Sequence, residues 1–237
     1  MRSPAVFGLD DPDREGRINL ALRMHFRDEA SLEKQVTQCP PRSDNHATGW
    51  YSIEADESGV LSVLRNGYLY FGPAVHGEWN AGSDAISIDV PTGRRLALKD
   101  VVTSGAALRP IIKSCIPFGA EKLPQWNDYE LERNLQGLPA EDGEPSTIHD
   151  PTFLVLPDGL AVLLTGLPTV AAWDELHGIV IRWGALKRDG VLAPKSPIAR
   201  VWATAAALSA GEPACERIFV PRWMPRADRD RARKDAR

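Results

Sequence analysis

The residues of this chain that best fit acid–base chemistry are His76 and Glu78, which follow an aromatic segment and a Gly/Pro turn. A histidine next to a carboxylate could act as a general base in a hydrolase. A histidine whose ring nitrogens hold a tight turn explains the same pattern. We predict that His76 is structural, and we keep a small hydrolase acting on cell-wall material, with His76 as its base, as the alternative.

Two further groups carry metal-binding or acid–base side chains. Asp174 and His177 would share a helical face at a spacing of three, but two ligands do not define a metal site. His149 and Asp150 are adjacent in a polar segment that leads into Pro151, and a turn explains them. The sequence also lacks the glycine-rich nucleotide loops, the His-Glu-x-x-His pair and the Gly-x-Ser-x-Gly elbow. We therefore predict no cofactor and no metal.

Composition limits the classes of protein to which the chain can belong. Its 237 residues suffice for one large domain or two small ones, and 43% are hydrophobic. The net charge is −4, but residues 222–237 carry seven basic and three acidic side chains, so the remaining body is at −8. An acidic body argues against nucleic acid as the main partner and suits a cationic protein partner. The basic tail itself is interrupted by aspartates, as in an ordinary solvated tail.

Hydrophobic periodicity predicts the elements that must position these residues. Ile18, Leu22 and Phe26 recur at helical spacing after Asp13, the expected N-cap, and His25 lies on the same face as a packed histidine. Strands are predicted around residues 49–55, 60–65, 68–71, 85–90, 153–156, 160–164 and 179–183, with helices at 104–116, 124–135 and 198–208. Turns at Glu57-Ser58-Gly59 and Asn66-Gly67 separate the first three strands. The order predicts an α+β fold of antiparallel sheets with packed helices in two closely associated parts.

Two of these strands support sharper predictions. Residues 68–71 are aromatic and bounded by turns, so we expect them in an antiparallel sheet packed against the helix that contains Ile18. In strand 85–90, Ile86 and Ile88 lie on one face while Ser87 and Asp89 lie on the other. Thr92-Gly93 is expected to reverse the chain after this strand, because glycine tolerates positive φ.

No membrane span is predicted, because the most apolar stretch, residues 152–173, contains Pro157, Gly159 and Pro168. The first residues show no secretory signal, so we expect either a cytoplasmic protein or a mature chain whose targeting segment has been removed. Three widely spaced cysteines exclude a Cys-x-x-Cys site. They leave open one disulfide in any of three pairings, if the chain is extracytoplasmic, or three reduced buried thiols; these cysteines are Cys39, Cys115 and Cys215.

Short motifs follow one another over residues 18–187 in this order: Ile18-Asn19, Leu61-Ser62, Ala74-x-His76-Gly77, Asp89-x-x-Thr92-Gly93, Leu96-x-Leu98-x-Asp100 and Phe153-x₅-Gly159-Leu160. Their order resembles that in the extracellular region of RsiV anti-sigma factors, which also occurs beside the deacetylase domain of PdaC-like proteins. The resemblance implies a PdaC-like part at residues 1–90 and an RsiV-like part at 91–202. Residues 203–237 would be a partly disordered extension with the basic tail.

The same resemblance implies a non-enzymatic binding module of the cell envelope, periplasmic or otherwise extracytoplasmic. In RsiV the equivalent region recognises lysozyme. The expected partner is thus a lysozyme-like or other cell-wall-active protein, or cell-wall glycan, and an inhibitor or immunity role is one form of this function. Within residues 167–178, the side chains of Trp173, Asp174, Glu175 and His177 are the predicted partner-binding set. Packing of Trp173 into the core, with the acidic pair solvating a turn, is the alternative.

Overall fold

The computed structural model describes residues 4–26, 45–56, 59–71, 78–80, 84–103, 105–115, 152–163, 178–201 and 215–216. These residues form two antiparallel sheets with helices packed against them. The predicted α+β class is therefore confirmed. The division into parts at residues 90 and 91 stays a prediction.

The first sheet contains five strands: β1 (Asn45–Ala55), β2 (Val60–Phe71), β3 (Glu78–Asn80), β4 (Asp84–Asp89) and β5 (Arg94–Arg95). Their order is β1-β2-β4-β5, and β3 pairs with the second half of β2. The expected turn at Asn66-Gly67 is wrong: β2 continues through these two residues as one strand. Its pairing with β1 is continuous there, with Gly67 opposite Gly49. The aromatic segment 68–71 thus continues the strand and pairs with residues on both sides.

Helix α1 (Pro12–His25) covers one face of this sheet. Ile18, Leu22 and Phe26 are each 1% exposed and form a cluster with apolar side chains of β2 and β4: Leu61, Val63, Ile86 and Ile88. The predicted packing of the helix on the sheet is confirmed. The expected N-cap is wrong by two residues: the Asp11 carboxylate accepts the Arg14 N–H at 3.0 Å, and Pro12 occupies the first turn.

The second sheet contains β6 (Phe153–Val155), β7 (Gly159–Leu163), β8 (Gly178–Arg182) and β9 (Cys215–Glu216), in that order. A 3₁₀ turn (Leu98–Asp100), α2 (Gly105–Cys115) and α3 (Trp183–Arg188) contribute to the large core against it. Trp183 is completely buried, and its indole N–H donates to the Leu156 carbonyl at 3.1 Å. A disulfide joins Cys115 at the end of α2 to Cys215 in β9. Among the helices of the described ranges, none has the length and apolar character needed to span a bilayer.

A pair of serines joins the two sheets. The Ser62 hydroxyl donates to the Val155 carbonyl at 2.7 Å, and the Ser87 hydroxyl accepts the Val155 N–H at 2.9 Å. The two hydroxyls are 2.8 Å apart, and both serines are at most 2% exposed. Strand β6 therefore has one residue whose backbone groups are satisfied by side chains of the first sheet, which fixes β6 against that sheet.

Replacing either serine by alanine should destabilise the fold, because it leaves a buried backbone group of Val155 without its partner. We expect Ser62→Ala and Ser87→Ala each to lower the free energy of unfolding by about 1–3 kcal/mol in urea denaturation. Exposed Ser114→Ala in α2, whose hydroxyl only donates to the Ile111 carbonyl of its own helix, is the matched control. Equal losses for all three variants would contradict a joining role for the serine pair.

Candidate functional site

Most of the predicted site residues lie outside the part of the chain that the structure describes. Those outside it are His76, Trp173, Asp174, Glu175 and His177. Glu78 is the first residue of β3, where its backbone is in register with Tyr70 of β2. Both the partner-binding set and the His76–Glu78 pair stay predictions, and so does the interpretation of His149 and Asp150 as a turn.

The structure does describe the two strands that flank the predicted partner-binding segment. Strands β7 and β8 form an antiparallel pair in which Leu163 is opposite Gly178, and every residue of β7 is buried. A side chain at Gly159 would place its Cβ 2.4 Å from the Ile181 carbonyl oxygen, so the two strands approach closely there. Leu163 and Gly178, which flank segment 164–177 with its predicted binding side chains, are consequently held side by side.

A cluster of charged and aromatic side chains fastens the end of α1 to the first sheet. Nε2 of His25 lies 2.9 Å from Oδ1 of Asp84 at the start of β4, and the His25 side chain is 9% exposed. Arg65 of β2 is 4.0 Å from the second oxygen of Asp84 and lies over the Phe26 ring. Phe26 also contacts the rings of His25 and Tyr51 edge to face. His25 is thus packed against the sheet, as predicted, and its partner is a carboxylate.

The electrostatics of this cluster act on Asp84. Burial raises the pKa of its carboxyl group, but His25, followed by Arg65 and the Ala85 N–H, lowers the pKa by more, and the result is below the ordinary value. The ionised form of Asp84 is therefore favoured in the folded protein relative to the unfolded chain. This arrangement stabilises the seating of α1, with the Asp84 carboxylate held between His25 and Arg65.

The lowered pKa of Asp84 predicts a pH dependence of stability. A carboxyl group whose pKa is depressed by folding contributes stability above its unfolded pKa, near pH 4, and this contribution disappears as the pH falls through the folded pKa. Wild type should therefore exceed Asp84→Asn in free energy of unfolding at pH 5 and above, with the difference shrinking below pH 4. Asp10→Asn, at an exposed aspartate, controls for net charge. A wild-type advantage that grows on acidification below pH 4 would contradict the ion-pair role.

A second ion pair lies where the first sheet meets the segment after Leu192. The Asp89 carboxylate is 2% exposed and accepts hydrogen bonds from Arg200 and, at 2.6 Å, from the Thr92 hydroxyl. Arg200 also donates to the Gly59 carbonyl at 2.9 Å. Gly93 has a φ of +69°, so the predicted chain reversal at Thr92-Gly93 is confirmed. Asp89 and Arg200 thus connect three parts of the chain: Gly59 just before β2, the end of β4 with the turn at Thr92, and the segment that contains Arg200.

No protein-family model matches the chain, and no curated protein matches it. Two solved bacterial structures align with much of it. A DUF3298 family protein from Pseudomonas aeruginosa is 14% identical over 78% of this chain and 82% of its own, with a TM-score of 0.48. A member of the same family from Bacteroides fragilis is 12% identical over 82% of this chain and 74% of its own, with a TM-score of 0.45. The chain is similar to these DUF3298 structures in fold.

The polar groups with the clearest structural roles, Ser62, Ser87, Asp89 and Arg200, belong to no catalytic motif. Ser62 and Asp89 stand in the series of short motifs, and the alternation of strand 85–90 puts Ser87 and Asp89 on a common face. No sequence pattern indicates Arg200. Among the described residues, no group of three or more His, Cys, Asp or Glu side chains is arranged to hold a metal ion.

Proposed function

We propose that this protein is a binding module of the bacterial cell envelope that presents segment 164–177 to a cationic, cell-wall-active protein such as a lysozyme. The hairpin of β7 and β8 carries the proposal. Leu163 and Gly178 are paired in β7 and β8, so segment 164–177 begins and ends next to two adjacent positions of a packed strand pair. Fixed flanking positions reduce the entropy that a binding segment loses on association.

The disulfide between Cys115 and Cys215 supports an extracytoplasmic location. Disulfides persist in oxidising compartments and are rare in the cytosol, where thiols are kept reduced. The sequence left open three disulfide pairings or three reduced thiols. The bridge between Cys115 and Cys215 is one of those pairings, and Cys39 is the remaining cysteine. The order of motifs that resembles the RsiV region, and the acidic body of the chain, support the same location and a cationic partner.

The side chains of segment 164–177 suit such a partner. Trp173 offers a large apolar surface, and Asp174 and Glu175 supply negative charge beside it. Aromatic anchors dominate the energetics of protein interfaces, whereas charges at the rim mainly set the association rate. We therefore assign anchoring to Trp173 and electrostatic steering to the acidic pair.

Binding kinetics on immobilised lysozymes of several types test this assignment. Trp173→Ala should raise the dissociation rate at least tenfold, as expected when an interface anchor is truncated. Asp174→Asn with Glu175→Gln should mainly slow association and flatten its dependence on salt. Asp10→Asn with Asp13→Asn removes the same charge from exposed positions at the start of α1 and is the matched control. Unchanged kinetics in the segment variants would contradict the proposal.

A further inference from the structure

Helix α1 exposes an apolar surface on the side that faces away from the sheet. Phe7 is 81% exposed, Leu20 54% and Met24 57%, and these are three of the four large hydrophobic side chains exposed among the described residues. Leu20 and Met24 are one turn apart on the helix. Phe7 follows Val6, whose N–H and carbonyl both bond to the Asn19 side chain at 2.7 and 2.9 Å, so the N-terminal segment is tied to α1 at the residue before Leu20.

Three exposed arginines lie on α1 or on the side of the sheet that α1 covers. Arg17 and Arg23 are exposed on α1, and the Nε of Arg17 donates to the Thr92 carbonyl at 3.0 Å. Arg95 of β5 is exposed and pairs in register with Ile88, a residue of the cluster under α1, so it lies on the same side of the sheet as the helix. From Gly16 to Phe26 the sequence contains no acidic residue. We call Phe7, Leu20, Met24, Arg17, Arg23 and Arg95 the α1 surface.

We infer that the α1 surface docks on an anionic lipid membrane. Exposed apolar side chains together with arginines of α1 and β5 suit the boundary between headgroups and acyl chains, where apolar groups leave water and guanidinium groups meet phosphates. The charge distribution also sets the orientation. The acidic residues Asp10, Asp11 and Asp13 lie at the start of α1, so the C-terminal half of the helix, about 10 Å long, meets the membrane first.

The fold keeps the α1 surface in place while it is exposed. The opposite side of the helix is seated on the sheet by Ile18, Leu22 and Phe26 and by the contact between His25 and Asp84. A helix that is already folded and seated loses little conformational entropy when it docks. This inference does not depend on the protein partner proposed above, because none of the six residues that define the α1 surface belongs to segment 164–177.

Vesicle co-sedimentation of the full chain tests the inference, with phosphatidylcholine vesicles compared with equimolar phosphatidylcholine and phosphatidylglycerol. We expect binding to the anionic vesicles only, weakened by salt. Leu20→Gln with Met24→Gln should lower the partition coefficient about tenfold or more. Arg23→Gln with Arg95→Gln should lower the partition coefficient roughly tenfold at low salt, because each basic side chain near an anionic surface adds electrostatic attraction to the headgroups.

Two control variants match these changes. Ile53→Gln alters the fourth exposed hydrophobic side chain, which lies in β1, and Arg188→Gln with Lys195→Gln removes two exposed positive charges elsewhere. Both should bind as wild type does. Absence of binding to anionic vesicles would overturn the inference, as would equal binding to neutral vesicles or equal losses in the controls. Sedimentation equilibrium that shows a dimer broken by the Leu20 and Met24 changes would instead assign the surface to a second copy of the chain and also overturn it.

Discussion

Removal of the disulfide by the double substitution Cys115→Ala and Cys215→Ala is expected to lower the free energy of unfolding by about 3–5 kcal/mol. The bridge closes a loop with a sequence separation of 100 residues, and a loop of this size loses much entropy in the unfolded chain when it is cross-linked. It also fastens the two-residue strand β9 to α2, with Cys115 in the large core. Denaturant unfolding under non-reducing conditions measures the loss.

Cys39→Ala is the matched control for this experiment, because it removes a cysteine and leaves the bridge intact. It should unfold close to wild type, and reduction of wild type should reproduce the loss seen in the double variant. Three free thiols in unreduced, unfolded wild type would contradict the bridge. The same result would remove the support for an extracytoplasmic location.

Replacing Arg200 by methionine is expected to have the second largest effect. Asp89 is 2% exposed, so loss of its cationic partner leaves a buried carboxylate with only the Thr92 hydroxyl among the described contacts. Breaking a buried ion pair from one side typically costs 3–5 kcal/mol. The Arg200 side chain is 39% exposed, so solvent screens part of its attraction to Asp89. We therefore expect Arg200→Met to lower the free energy of unfolding by roughly 2–3 kcal/mol.

A double-mutant cycle separates the ion pair from simple loss of packing. Asp89→Asn with Arg200→Met should recover part of the stability lost in Arg200→Met, because the uncompensated charge is gone. Arg188→Met, at a pair with Asp189 whose arginine is 64% exposed, is the control and should change stability by less than about 1 kcal/mol. Additive effects in the cycle would contradict the coupling of Asp89 to Arg200.

The sequence predicted the elements whose apolar spacing is regular. Ile18, Leu22 and Phe26 recur at helical spacing and are buried together, and Ile86 and Ile88, predicted to share one face of their strand, are buried in the same cluster. The turn at Thr92-Gly93 was also predictable, because glycine is the residue that takes positive φ without strain. Local periodicity is enough for such features, since each element shows its buried face in its own residues.

Features that depend on contacts between distant segments could not be predicted in this way. The polar face of β4 is typical of a strand with one side in water, yet Ser87 and Asp89 are buried. Their partners are Val155, 68 residues away from Ser87, and Arg200, 111 residues away from Asp89. Pairing of Cys115 with Cys215 likewise required the structure, because three pairings satisfy the sequence equally.

The proposed function rests on segment 164–177, and a variant without it tests that function most directly. Because Leu163 and Gly178 are paired, replacing residues 164–177 by Asn-Gly should join β7 and β8 through a two-residue turn without altering the sheet. Titration calorimetry against several lysozyme types should then show a saturable complex for wild type and none for the shortened chain, at an unchanged melting temperature. Failure of wild type to bind every lysozyme tested, or undiminished binding by the shortened chain, would contradict the proposed function.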